Sequence, residues 1–176
     1  MFKKKAFLLI AAVLFCASLP AQERNSDDVG RFTIGGGLTF SPAIGGGGQG
    51  EFAFLIYHNG WDIRNHLVIR GNSIHNKNSA DYGTFTLSEK ISFGGISPNK
   101  LMRIYGFVEG GIGFWGNDTK ALFKTPLTFV FGGGGGTDIF FTKSLSVYLE
   151  TGWLGHLLDA KFIDGPMFQI GWRGHF

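Results

Sequence analysis

The segment Pro166-Met167-Phe168-Gln169-Ile170-Gly171-Trp172-Arg173-Gly174-His175-Phe176 decides the fold. Phe168, Ile170, Trp172 and Phe176 share one parity; Gln169, Gly171, Arg173 and His175 share the other. A period of two is that of a strand with one apolar and one polar face. A soluble sheet has little use for an exposed aromatic at the tip of such a strand. A sheet closed on itself in a bilayer has one, because its last strand sets apolar side chains on lipid and polar ones in the lumen.

The same alternation occurs in seven further runs. The first, Arg31–Phe40, sets Phe32, Ile34, Leu38 and Phe40 against Arg31, Thr33 and Thr39. The second, Gln49–His58, sets Phe52, Phe54 and Ile56 against Glu51, Ala53 and Tyr57. The third, Trp61–Arg70, sets Trp61, Ile63, Leu67 and Ile69 against Asp62, Arg64, His66 and Arg70. The fourth, Tyr82–Phe93, sets Phe85, Leu87, Ile91 and Phe93 against Thr84, Thr86, Ser88, Lys90 and Ser92. The fifth, Met102–Phe114, sets Met102, Ile104, Val108, Ile112 and Phe114 against Arg103, Tyr105 and Glu109. The sixth, Leu127–Phe141, sets Leu127, Phe129, Phe131, Ile139 and Phe141 against Thr128, several glycines and Asp138. The seventh, Leu145–Trp153, sets Leu145, Val147, Leu149 and Trp153 against Ser146, Tyr148 and Glu150. Eight runs separated by turn residues predict an all-β, eight-stranded antiparallel up-and-down transmembrane β-barrel.

The connections are expected to alternate in length. Asn59-Gly60, the stretch at Ser97-Pro98-Asn99-Lys100 and Thr142-Lys143-Ser144 are short, and Asn-Gly is a strong hairpin signal. Segments 41–48, 71–81, 115–126 and 154–165 are longer, with a helical turn a candidate over 156–163. Short turns on one rim and longer loops on the other are the habit of outer-membrane barrels.

The other end of the chain agrees. Lys3, Lys4 and Lys5 precede an apolar run from Ala6 to Leu19, too short to span a bilayer as a helix. Residues 1–21 therefore read as a signal peptide cleaved after Ala21, residues 22–29 as a short periplasmic segment and residues 30–176 as the barrel. A lipid-modified Cys16 is disfavoured by the bulk of Phe15 before it. The whole chain has 16 Lys and Arg against 13 Asp and Glu. The three lysines of the leader account for the difference, so the mature part is neutral, and basicity gives no argument for a nucleic-acid partner. Cys16, the single cysteine, leaves with the leader, so no disulfide is expected.

The polar face separates a barrel from a soluble sandwich. It collects Glu51, Asp62, Arg64, Arg70, Lys90, Arg103, Glu109, Asp138, Glu150 and Arg173, along with His66. An eight-stranded barrel has an interior just wide enough for side chains, and charges there must pair. Balanced signs suit a packed polar lumen better than an open pore. Trp61, Trp115, Trp153, Trp172, Tyr57 and Phe176 fall near strand ends, where aromatic girdles sit.

Gly35–Gly37, Gly45–Gly48 and Gly132–Gly136 invite comparison with phosphate loops. No Gly-Lys-Ser/Thr follows, and no strand–helix unit surrounds them. Glycines that let a small barrel coil and make room for large neighbours are the better reading. A turn at Thr142–Ser144 with Phe141 opposite Leu145 would put Gly136 opposite Glu150 and Gly134 opposite Gly152.

Phe131–Trp153, "FGGGGGTDIFFTKSLSVYLETGW", resembles the glycine-rich strand, tight turn and acid-bearing strand of the small eight-stranded outer-membrane barrel superfamily, which includes the OmpA membrane domain, OmpX, Ail, the opacity proteins and OmpW-like proteins. The ending at Phe168, Ile170, Trp172 and Phe176 resembles that superfamily's C-terminal assembly signal, with Gly174 where a larger apolar residue is usual. The resemblance implies export to the outer membrane of a diderm bacterium. It also implies contact with lipopolysaccharide-type lipids and the barrel assembly machinery, and a surface or host ligand as a further candidate partner.

The superfamily holds structural proteins, adhesins, small-molecule channels and lipid A-modifying enzymes, so it implies architecture more than activity. His75, Ser79 and Asp81 are the nearest approach to a hydrolytic set, in a loop and without the His-x-Ser pattern. The five histidines show no i, i+2 strand pair for a metal; His66 and His175 should point into the lumen and bond carboxylates. No cofactor or enzymatic activity is expected. The expected role is structural, with surface interaction through four external loops; a channel for small hydrophobic molecules and a lipid A enzyme are the alternatives. One anomaly stands out: Asn65 and Glu89 have lipid-facing parity. Pairing residue 71 with 83 would make them cross-strand neighbours. Either they form a polar spot for lateral contact, or a bulge turns Glu89 inward.

Overall fold

The computed structural model describes residues 30–42, 45–59, 61–74, 82–98, 100–116, 127–158 and 161–176. Eight strands form one closed antiparallel meander: β1 Phe32–Ser41, β2 Gly45–Asn59, β3 Trp61–Ile74, β4 Tyr82–Ile96, β5 Met102–Gly116, β6 Leu127–Thr142, β7 Leu145–Leu158 and β8 Lys161–His175. β8 closes on β1, with Thr33 opposite His175, so the start of β1 and the end of β8 meet at one rim, here the terminal rim. The strands alternate inward and outward as the period of two requires. Apolar side chains stand half-exposed on the outer wall, while polar and charged ones are buried inside.

The registers fix the barrel's shape. His156 pairs with Val130, and the rungs run on through Gly111, Ser88, Val68, Glu51, Gly35 and Arg173 to Ser146. One circuit from 156 to 146 shifts the chain by ten residues, which tilts the strands by about 40°. At that tilt, facing strands bring residues far apart in sequence to one height in the lumen.

Several expectations need correction. Strands β2 and β7 run longer than predicted, and β8 begins earlier, at Lys161. This leaves only residues 42–44 and 159–160 as the first and last far-rim connections. Glycine has no side chain to show parity, so the glycines of 45–48 and the mixed stretch 154–165 read as loop when they are strand. The helical turn at 156–163 is absent from the described residues there. Only 75–81 and 117–126 remain as long connections. Met102 is buried at the start of β5, beside a turn in which the Ser97 amide donates to the Met102 carbonyl at 2.7 Å. A bulge between Leu55 and Tyr57 turns Tyr57 outward. Trp115 faces the lumen rather than a girdle and packs on its apolar residues.

The β6–β7 hairpin pairs Gly136 with Glu150 and Gly134 with Gly152, as expected, and absorbs one residue in a bulge at the turn. Gly174 is buried, with the Phe176 ring 3.2 Å from where its Cβ would stand. A side chain there would need the exposed terminal ring to give way by a few tenths of an ångström.

Candidate functional site

The inward parity of β2, β3, β4, β5, β6, β7 and β8 delivers all ten charged residues of the polar face to the lumen, where each is buried. They assemble into two groups. The larger begins near the terminal rim, where Asp62 accepts from Arg64 (3.1 Å) and Arg103 (2.5 Å). Arg103 also reaches Asp138 at 3.5 Å, and Asp138 accepts from Arg173 at 2.5 Å. Arg173 is the hub. It donates to Glu51 through two nitrogens, to Glu150 at 2.8 Å and to the Tyr105 hydroxyl at 2.6 Å. Lys90 closes the group, donating to Glu51 at 3.1 Å and Glu150 at 2.9 Å.

The second group lies further from the terminal rim. Arg70 donates to both oxygens of Glu109, at 2.8 and 3.0 Å, the bidentate geometry that suits guanidinium and carboxylate. The Gln49 carbonyl accepts from Arg70 as well, and Ser88 donates to Glu109 at 2.5 Å. The Gln169 amide joins the groups. Oriented to satisfy both neighbours, its oxygen accepts from Arg70 at 3.0 Å and its nitrogen donates to Glu150 at 2.5 Å.

Burying ions is costly, and the cost is offset only where partners and hydrogen bonds are complete. Here five cations meet five carboxylates. Arg70 and Lys90 are 0% exposed, so the side chains packed around them leave them no contact with water. Aromatic faces fill the rest of the cross-section: the Arg173 guanidinium lies 4.1 Å above the Tyr148 ring, and that of Arg103 lies 4.4 Å above Tyr105. Glycines make this filling possible. A Cβ on Gly136 would stand 2.8 Å from the Tyr105 hydroxyl and from Cγ of Glu150, and one on Gly171 would stand 2.6 Å from the Tyr148 ring.

Sequence reading identified the charged set but missed the apolar half of the lumen. Phe107, Val130, Leu154 and Met167 pack with Tyr105 as a buried cluster, flanked by Trp115 and Ile163. Their inward parity was legible, but an apolar residue between apolar or glycine neighbours does not announce its face. Gln49, Gln169 and the two lumenal tyrosines, which tie the ions together, were likewise not singled out as members of the network. His66 lies 3.5 Å from Glu51 and hydrogen-bonds Ser92 at 2.9 Å. His175, expected to bond a carboxylate, sits between the hydroxyls of Ser146 (2.8 Å) and Thr33 (3.3 Å). Among the described residues, no group of three His, Cys, Asp or Glu is arranged to hold a metal ion. His75, Ser79 and Asp81 lie outside the described residues.

The outer wall carries the aromatics Trp61, Tyr57, Trp153, Trp172 and Phe176, all exposed. Trp61 stacks on Phe93 near the terminal rim, and Trp153 donates to Asp164 at 2.7 Å near the other. The closing-strand residues Phe168, Ile170 and Trp172 line the outer face of β8. Glu89 is also exposed on the outer wall, without a bulge in either pairing of that part of β4. The register differs from expectation by two residues: Gly71 pairs with Phe85, so Asn65 faces Ile91 and Glu89 faces Leu67. Parity survives a two-residue shift. Asn65 and Glu89 become diagonal neighbours, and the Asn65 amide donates to the Glu89 carboxyl.

No protein-family model and no characterised sequence matches the chain. Solved structures match over most of its length. Neisserial surface protein A superposes with a TM-score of 0.58 at 10% identity, over 82% of this chain and 97% of that one. The outer membrane protein OprG from Pseudomonas aeruginosa superposes with a TM-score of 0.50, also at 10% identity, over 84% and 96%. Likeness at such low identity establishes the fold alone, and that fold is the small eight-stranded barrel found in outer-membrane proteins.

Proposed function

We propose that this chain is a non-enzymatic β-barrel of a diderm outer membrane, with a structural role and with surface contacts made by its far-rim connections, chiefly 75–81 and 117–126. The observation that carries this reading is the plugged lumen. Ten paired charges with two tyrosines and two glutamines fill its cross-section, and a filled barrel supports membrane structure better than permeation. The continuous apolar outer wall supports lipid as its solvent. Its aromatic closing strand supports recognition of Phe168, Ile170, Trp172 and Phe176 by the barrel assembly machinery.

A channel for small hydrophobic molecules would need an apolar lumen with room in it. The cluster at Val130, Leu154 and Met167 has the chemistry, but Leu154 and Met167 are 0% exposed and leave no space beside them. A lipid A enzyme would need a nucleophile, base and acid together on the outer wall, and no described residues supply that set. The test is planar-bilayer recording of the purified, folded chain. No unitary conductance steps above the lipid background are expected. Regular open steps from heat-modifiable, folded protein would overturn the structural reading.

A further inference from the structure

Glu89 is the central residue of β4, equidistant from Tyr82 and Ile96. On a wall in lipid this is close to the bilayer midplane, where ionisable side chains are costly and by default mark a contact or pathway. The other acid on the described outer wall, Asp164, lies near the far rim and is held by Trp153. Glu89 has only Asn65. One carboxyl oxygen, one amide N–H and the amide oxygen are left without a partner among the described residues.

The surface beside this pair is hollow. Glu89 faces Gly110 across the β4–β5 ladder, and nothing lies within 4 Å of where a Cβ on Gly110 would stand. Glu89, Ile91, Val108 and Gly110 border a depression of about 310 Å³. Glycine on a lipid-facing wall lets another backbone come close.

We propose that this face is the interface of a two-fold dimer, with a second copy of this chain as the occupant. The complementarity is with itself. Each copy offers a carboxyl oxygen from Glu89 and an amide N–H from Asn65, so a two-fold axis between the residues lets each Asn65 donate to the other copy's Glu89. An isologous contact of this kind satisfies the carboxyl oxygen and the amide N–H of both copies at once. An apolar lipid tail satisfies neither. The inference rests on the outer wall being in lipid, and it is independent of whether the lumen conducts.

Sedimentation equilibrium of the full chain in density-matched micelles tests it, with heat-modifiable gel migration as the check on folding. The wild-type chain is expected to dimerise. Glu89→Leu should weaken association by about tenfold, as the loss of two reciprocal hydrogen bonds within a membrane would. Asn65→Leu should do the same, and serves if Glu89→Leu fails to fold. Leu38→Ala, on the opposite wall, should leave association unchanged. A wild-type chain that stays monomeric, or a dimer indifferent to both substitutions at the polar pair, would overturn the proposal. So would a dimer weakened equally by Leu38→Ala.

Discussion

Two glutamates stand near mid-height of the same sheet, one on each wall. Glu150, on the lumenal side, accepts from Lys90, Tyr105 and Arg173 at 2.8–2.9 Å. Glu89, on the outer side, accepts from Asn65 alone. Two glycines repeat the contrast. A Cβ on Gly134 would lie 2.2 Å from the Thr151 carbonyl, whereas one on Gly110 would meet nothing. The inner wall is densely bonded around its ten charges, and among the described residues only a few buried lumenal groups, such as the His156 ring and the Asn72 amide, stand without a partner. The outer wall is under-filled and has a polar demand left over. A barrel built this way keeps its shape through its interior, and any new contact has to form outside it.

The largest effect expected from this difference is at the hub of the lumen. Arg173→Met removes the partner of Glu51, Asp138 and Glu150 together and leaves buried carboxylates short of cations. Breaking a buried pair in this way costs about 3–5 kcal/mol. Urea unfolding in lipid vesicles should show that loss, or the chain should fail to migrate as a folded species before heating. A loss below about 1 kcal/mol, the range of exposed surface pairs, would mean that the lumen is wet and its ions are not mutually dependent.

A smaller effect separates the glycines. Gly134→Ala drives a methyl group into the backbone of β7, which cannot move without breaking the ladder, and overpacking of that kind costs about 1–3 kcal/mol. Gly110→Ala adds a methyl to open outer surface and should stay within about 0.5 kcal/mol of wild type. The same unfolding measurement compares them. Equal costs would mean that the two walls do not differ in packing.

Strand count, strand parity and the identity of the buried ions were all legible in the sequence, because the charged residues share a parity opposite to that of their mostly apolar neighbours. The pairing of those ions was not. Arg173 meets Glu51 and Asp138 only because the circuit of registers shifts the chain by ten residues, and that shift is the sum of every turn and bulge. The β3–β4 register shows how sensitive this is. A hairpin misjudged by two residues still predicts the right faces for Asn65 and Glu89 but the wrong rung for each. The far-rim loops were misjudged for a different reason. At Gly45–Gly48 the strand continues through residues with no side chain, so nothing alternates. Trp115 was misplaced because aromatic residues near strand ends suit either a girdle or the cap of a filled lumen, and only packing against Val130 and Leu154 decides.

The smallest effect has the opposite sign. In dilute micelles, where each barrel is alone, Glu89→Leu removes a polar group from the apolar wall without stranding a buried cation. Only the bond to Asn65 is lost, and Asn65 remains at a surface where it can turn. An acid on a lipid face costs less than the 2–4 kcal/mol of a midplane Arg or Lys, so the substitution should stabilise the monomer by about 1 kcal/mol. Glu150→Leu, the same chemical change on the other wall, should destabilise it by several kcal/mol, because Lys90 and Arg173 then lose a buried partner. Thermal unfolding of the two variants side by side reads the difference directly. If Glu89→Leu also destabilises the monomer, the carboxyl is meeting a structural need within its own barrel. The unmet polar demand at Glu89 would then not exist.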